Sequence, residues 1–216
     1  MRSQHVWSLW WGLVVVVFAA LALNACATMT KAQCRTADWE SQGQIDGLRG
    51  LPSAQFDRHV KACERADIVP DKQAWQVGYE AGIERFCQPD SAFERGENGL
   101  TYQNVCPGGS HDLFKRVYAV GYEKYNLKAR RDNIQQKISN YRREIENTRE
   151  FLVSKDIDAS QIKKALRDLR WKRDYEESNL RSAQYDLDRY NSRLATEGYL
   201  SMAGINVTTT YTFSKK

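Results

Sequence analysis

From Leu113 to Leu152, one stripe of residues returns at alternating four- and three-residue steps. It runs through Leu113, Val117, Val120, Leu127, Ile134, Ile138, Tyr141, Ile145 and Leu152, with Lys124, Arg131 and Thr148 at the intervening positions. A period of 3.5 keeps a stripe on one side of a helix and is incompatible with a strand, whose side chains alternate at every residue. The pattern stops between Val153 and Ala159, where Lys155, Asp156 and Asp158 crowd together. It resumes through Ile162, Leu166, Leu169, Leu180, Ala183, Leu187, Tyr190 and Leu194, with Arg173 and Glu176 on the stripe. Two helices of similar length joined by about seven residues predict an antiparallel coiled-coil hairpin over 111–197. Forty residues at about 1.5 Å each make it roughly 60 Å long. Ser110 is read as the cap of the first helix, Asp158 as the cap of the second and Gly198 as the stop. Lys124 or Arg131 is placed opposite Arg173 or Glu176, with the register open. In the tail, 198–216, Ile205, Val207, Thr209, Tyr211 and Phe213 alternate with polar residues or threonine, which suits one short strand or a loose end.

The other end of the chain reads as an address. Of the first 25 residues, 18 are hydrophobic, Arg2 supplies a positive charge, and Val6 to Leu23 is interrupted only by Ser8 and Gly12. The run ends in Leu23-Asn24-Ala25-Cys26, a small residue immediately before a cysteine. This is the layout of a signal peptide, 1–25, ending like a bacterial lipobox. It predicts cleavage after Ala25, a diacylglycerol thioether on Cys26, and acyl chains that hold the chain in a membrane. The competing reading is an uncleaved span, since about 18 apolar residues just cross a bilayer. Ala27, where inner-membrane retention is associated with Asp, points to the outer membrane, facing the periplasm.

Removing Cys26 leaves Cys34, Cys63, Cys87 and Cys106. An even number in an oxidising compartment predicts two disulfides. Four cysteines allow three connectivities; the nearest-neighbour pairs close loops short enough for small helical elements. A metal site is the competitor, because His59 and Cys63 stand four apart on a predicted helix, yet no Cys-x-x-Cys accompanies them.

Residues 26–110 read as a head of short helices. Thr36 is placed as the cap of a helix carrying Trp39, Gly43, Asp46 and Gly50 on one face, Pro52-Ser53 opens a second, and Pro70-Asp71 a third. The third carries Trp75, Gly78, Tyr79, Gly82, Ile83 and Phe86 as a continuous stripe. Glycine inside a helix costs about 1 kcal/mol relative to alanine, so Gly78 and Gly82, like Gly43 and Gly47, imply close approach of another backbone. Val77-Gly78-Tyr79-Glu80 recurs as Val120-Gly121-Tyr122-Glu123, a weak internal repeat. Asp38, Asp46 and His59 are the candidate polar cluster. An Asp and a His in one cleft can do acid–base chemistry. The same residues serve equally as helix caps or as partners for an indole N–H, and this structural use is preferred. Nucleophile motifs, a phosphate loop and His-Glu-x-x-His are all missing, so neither an enzyme activity nor a cofactor is assigned.

These residues resemble a family. Cys34-x-x-x-Asp38-Trp39-x-x-x-Gly43-x-x-Asp46-Gly47-x-x-Gly50 is similar to the opening of a group of uncharacterised proteobacterial envelope lipoproteins, known as a domain of unknown function. His59-x-x-x-Cys63, the Trp75-x-x-Gly78-Tyr79-x-x-Gly82 helix ending in Phe86-Cys87, and Gly96-x-x-Gly99-x-x-Tyr102-x-x-x-Cys106 fit as well. The resemblance covers about 34–123 and implies a periplasmic lipoprotein with paired cysteines and no established activity. It favours pairing Cys87 with Cys106, which leaves Cys34 with Cys63.

With 42% hydrophobic and 27% charged residues the chain is neither wholly disordered nor a multi-span membrane protein. Its charge is uneven: 26–112 carries 9 basic and 13 acidic residues, while 113–196 carries 20 basic and 13 acidic. In the envelope a basic helical segment meets acidic lipid headgroups or peptidoglycan carboxylates, not nucleic acid. The competing reading is a solvated coiled-coil surface. The role this organisation predicts is structural or adaptor-like, with an envelope protein or peptidoglycan as partner. A cell-wall hydrolase or a small-ligand or metal sensor using Asp38, Asp46 and His59 is the alternative.

Overall fold

A computed structural model describes residues 29–154 and 158–205, and among these the regular structure is entirely helical. Seven α-helices are formed: α1 Lys31–Thr36, α2 Trp39–Leu48, α3 Gln55–Cys63, α4 Lys72–Phe86, α5 Pro89–Glu97, α6 Gly108–Ser154 and α7 Ala159–Met202. The chain divides into two compact units. The first runs to Phe86 and includes residues 103–105; the second comprises Cys87–Tyr102 and everything from Cys106 onward. This differs from a boundary at 110/111. The physical reason is that α5 packs against α6.

In the first unit, α1 starts in a capping box in which Thr30 and Gln33 satisfy each other's backbone N–H. Thr36 ends this helix, its hydroxyl donating to the Ala32 carbonyl. The cap of α2 is therefore Asp38, not Thr36. Asp71 caps the first turn of α4, accepting from the N–H groups of Gln73 and Ala74. Cys34 and Cys63 form a disulfide inside a small core with Met29 and Ala62.

The centre of this unit is the contact of α2 with α4. A Cβ on Gly43 would stand 1.9 Å from the Trp75 carbonyl oxygen, and one on Gly78 would stand 1.8 Å from that of Glu40. Gly47 and Gly82 face each other one turn on. At such separation the backbones pack directly, and no side chain larger than hydrogen fits. Helix α2 ends with Gly50 in the left-handed region (φ 64°), its N–H bonded to the Gly47 carbonyl and that of Leu51 to the Asp46 carbonyl. The Phe86 ring covers Gly50.

The second unit repeats this device. Gly96 of α5 lies against α6 where a Cβ would stand 2.3 Å from the Tyr118 carbonyl oxygen, and Gly121 answers it against Phe93. Helix α5 ends with Gly99 left-handed (φ 67°); Gly99 bonds Gly96, Leu100 bonds Arg95, and the Tyr125 ring covers the glycine. Gly47, Gly50, Gly82 and Phe86 thus correspond to Gly96, Gly99, Gly121 and Tyr125. The repeated Val-Gly-Tyr-Glu string instead aligns Gly78 with Gly121, one helical turn away. It misleads because α4 presents glycine and an aromatic ring on successive turns. The Cys87–Cys106 disulfide ties the start of α5 to the segment before α6.

Beyond this contact α6 continues to Ser154 and α7 returns antiparallel, 47 and 44 residues in length. Every described residue of the two 3.5-period stripes is buried or half-buried. Tyr190 donates to the Val120 carbonyl at 2.6 Å, Arg130 pairs with Asp186, and Lys137 pairs with Glu176 at 3.4 Å, which fixes the register. Lys124 and Arg131 consequently do not face Arg173 or Glu176. Lys124 reaches Glu97 at 2.6 Å, Arg131 bonds its neighbour Asp132, and Arg173 bonds Asp174. Ser110 is not the cap either; α6 begins at Gly108, and the Ser110 hydroxyl turns back to the Pro107 carbonyl. Asp158 does cap α7, accepting from the Ser160 N–H. Gly198 breaks α7 locally without ending it (φ 74°, ψ 153°). The residue after it swings onto α5, where the Tyr199 ring stacks on Phe93 at 4.9 Å and its hydroxyl donates to Asp90. The stop is at Gly204, whose N–H bonds the Ser201 carbonyl. The tail from Asn206 onward, on which most of the strand reading falls, and the first 28 residues lie outside the described residues.

Candidate functional site

The inner face of α2 carries Gly43, Asp46 and Gly47. Because the glycines draw α4 in, Asp46 meets the indole of Trp75 one layer away. Because α3 follows the Gly50 turn, His59 arrives from a third direction. Trp75 Nε1 donates to Asp46 Oδ2 at 2.9 Å, and His59 Nε2, carrying the proton, donates to the same oxygen at 2.7 Å. Gln42 Nε2 donates to Oδ1 at 3.1 Å. Asp46 is 1% exposed and His59 2%. A carboxylate removed from water to this extent needs such donors to remain charged.

Aromatic rings enclose the cluster. Trp75 stacks on Tyr79 at 4.7 Å and tilts against Phe56 at 5.2 Å, while Trp39 lies 6.2 Å from the His59 ring. The Tyr79 hydroxyl donates to the Leu51 carbonyl, tying the cluster to the turn after α2. Burial pushes the Tyr79 phenol above its ordinary pKa, and the Asp46 carboxylate adds to the shift.

Of the three polar residues singled out in the sequence, Asp46 and His59 touch and Asp38 takes no part in their bonds. Asp38 sits exposed at the start of α2, where Oδ1 accepts from the N–H groups of Glu40 and Ser41 and Oδ2 from the Ser41 hydroxyl at 2.6 Å. The Ser41 hydroxyl and the backbone donors favour its charged form and hold its carboxyl below the ordinary range. Cys63, four residues after His59, has its sulfur bonded to Cys34 and offers no thiolate beside the imidazole. Cys26 lies outside the described residues. Sequence reasoning anticipates an indole N–H as partner without naming Trp75, and it misses Gln42. The indole N–H of a buried Trp requires an acceptor, and that requirement was the available signal.

Chemically, the cluster is closed. A general base must reach the proton that it abstracts, within about 3 Å or through one water. Asp46 instead spends its acceptor oxygens on three side chains from its own unit. This is the geometry of a polar staple joining α2, α3 and α4, with each partner satisfied.

Among the described residues, fold and cluster define an all-helical, disulfide-bridged protein built on glycine-faced helix pairs. Residues 38–123 match a family described as a protein of unknown function, DUF2799. The match opens at the Asp38 cap, encloses both glycine-faced pairs, and ends two residues after Gly121, leaving most of the hairpin outside it. No curated protein and no solved structure matches the chain.

Proposed function

We propose that this chain is a lipid-anchored envelope lipoprotein, held by Cys26 in the outer membrane with its body in the periplasm. Its role on this reading is structural or adaptor-like: it presents the basic hairpin to an envelope protein or to peptidoglycan. The observation that carries the reading is the use of the cysteines. Cys34–Cys63 and Cys87–Cys106 account for every cysteine except the one that follows the apolar run and Ala25. Disulfides of this kind belong to an oxidising compartment. The closed Asp46–His59–Trp75 cluster supports a structural use of those residues in preference to hydrolysis or sensing.

The test is the variant C26S in cells fed an alkyne analogue of palmitate. The wild-type chain takes up the label and fractionates with the membrane, whereas C26S takes up none and is released from the membrane or fails to be processed. A labelled C26S, or an unlabelled wild-type chain, would overturn the lipid anchor. In the second case membrane retention would point to the run Val6 to Leu23 as the anchor.

A further inference from the structure

The side of α7 that faces away from α6 carries an unusual surface. Residues 163–173 contain six basic residues and one acid, Asp168. Ile162, Leu166, Leu169, Arg173 and Glu176 occupy the seam, so Trp171 and Tyr175, with Lys164 two turns and Arg167 one turn before Trp171, lie on the opposite face. Trp171 is 68% exposed and Tyr175 57%, their rings stacked at 5.8 Å and 16°. Arg173 is tied to Asp174 and Glu177. Lys164, Arg167, Arg170 and Lys172 are exposed and make no ion pair with the described residues. Four cations outside any ion pair, with Asp168 the one acid among them, surround two exposed rings and make the surface positive and aromatic.

The kind of apolar residue separates the possible occupants. Among the described side chains of α6 and α7, the large apolar ones that are exposed are Tyr122, Tyr125, Phe151, Trp171, Tyr175 and Tyr185, all aromatic. A helix that beds into a bilayer needs a continuous apolar face, aliphatic residues included. Here the apolar face of α7 is already consumed by the seam. Flat rings without aliphatic neighbours suit a partner that is itself built of rings, whose C–H edges lie on the negative faces of indole and phenol. The cations call for acidic groups on the same partner.

We propose that Trp171 and Tyr175, flanked by Lys164, Arg167, Arg170 and Lys172, bind a carboxylate-bearing glycan polymer of the peptidoglycan type. The rings stack on pyranose faces and the cations pair with the free carboxylates of the stem peptides. This rests on the envelope reading above and makes the glycan, not an envelope protein, the hairpin's partner.

The experiment is co-sedimentation of the full chain, purified in detergent, with insoluble cell-wall sacculi freed of protein and lipid. The wild-type chain pellets with the sacculi, and less of it pellets as ionic strength rises. W171A/Y175A keeps its helical circular dichroism and both disulfides but binds about tenfold more weakly, while W171F/Y175F stays within about threefold. K164E/R167E weakens binding most at low salt. Three results would overturn the proposal: a wild-type chain that does not pellet, W171A/Y175A binding like the wild type, or equal binding to phosphatidylglycerol vesicles. The last would make the surface a membrane contact. A labelled, membrane-bound chain that ignores sacculi removes this inference alone. A chain that binds sacculi but carries no lipid on Cys26 leaves the surface standing and removes the anchor.

Discussion

The two units are built on one contact and use it in opposite ways. In each, a short helix ends in a left-handed glycine and lies glycine-first against the next helix, with an aromatic ring closing over the turn. Each also has a disulfide, Cys34–Cys63 or Cys87–Cys106. In the first unit α3 is inserted between the paired helices, and it carries His59 inward to Asp46. In the second unit no helix is inserted; the residue corresponding to Asp46 is Arg95, half-buried, with Nε bonded to the Thr101 carbonyl. The second pair instead prolongs one of its helices into a hairpin whose charges face outward. The same backbone device thus encloses polar chemistry in one place and supports a projecting surface in the other.

The sharpest way to break this correspondence is to fill the contacts. G82A and G121A each force a Cβ to within 2.4 Å of a backbone oxygen, and each should cost about 3 kcal/mol or more. G109A, at a position with nothing within 4 Å, should leave stability unchanged or raise it by about 0.5 kcal/mol. Thermal unfolding read by circular dichroism separates these outcomes. Equal tolerance of G82A and G109A would show that the close contact does not hold the first pair.

Reducing the disulfides one at a time comes next. C34S/C63S opens a sequence separation of 29 and C87S/C106S one of 19. Loop-closure entropy puts both at about 3–4 kcal/mol, the former slightly higher. Denaturant midpoints of the two variants test both the size and the order.

The polar contrast is smaller. D46A leaves the Trp75 indole and His59 without their buried acceptor, at about 2–4 kcal/mol, whereas R95A removes a half-buried guanidinium whose Nε bonds the Thr101 carbonyl, at about 1–2 kcal/mol. Urea unfolding of both variants measures the gap. If the two cost the same, the cluster is not what joins α3 to the first pair.

Acid and base distinguish the units more gently. Burial pushes the Tyr190 phenol up to about 12, with Glu123 adding to the shift. The folded state therefore keeps the protonated form. That stability is complete below about pH 10 and is lost as pH rises toward about 12. Burial, with the Asp90 carboxylate, pushes the Tyr199 phenol up to about 12 as well, so absorbance at 295 nm should show a late phase that Y190F reduces and Y190F/Y199F removes. At the acid end, Asp38 and Asp158 are both held below the ordinary carboxylate range by a serine hydroxyl one turn into their helices. Their contribution is present above about pH 4 and fades as pH falls through the lowered value, so α2 and α7 lose their caps in the same window.

Much of this was legible in the residues, for identifiable reasons. The hairpin was, because a 3.5-residue period sustained over two long segments admits one geometry, and Asp158 stands as a capping residue immediately before the second segment. The glycine faces were, because four-residue glycine spacing in a helix makes sense only against another backbone. Which helix each would meet was not, since a glycine records that something comes close and not what comes. For the same reason the Val-Gly-Tyr-Glu repeat came out one turn off. Thr36 and Asp38 are both good caps two residues apart; a short helix before them, started by Thr30 and Gln33, decided the matter. The meeting of Asp46 with His59 and Trp75 depends on three helices and a turn, and no local pattern encodes it.

The central functional proposal is that the hairpin meets the envelope partner while the Asp46–His59–Trp75 cluster serves only the fold of the first unit. Site-specific photocrosslinking in intact cells tests it directly, with the probe at Ser178 on the outer face of α7 or at Val77, exposed on α4. Adducts should form from Ser178 and shift to lower mobility when the cell wall is digested only partially, and Val77 should yield none. Adducts from Val77 with a silent Ser178 would contradict the claim and return attention to the helices around Asp46 and His59.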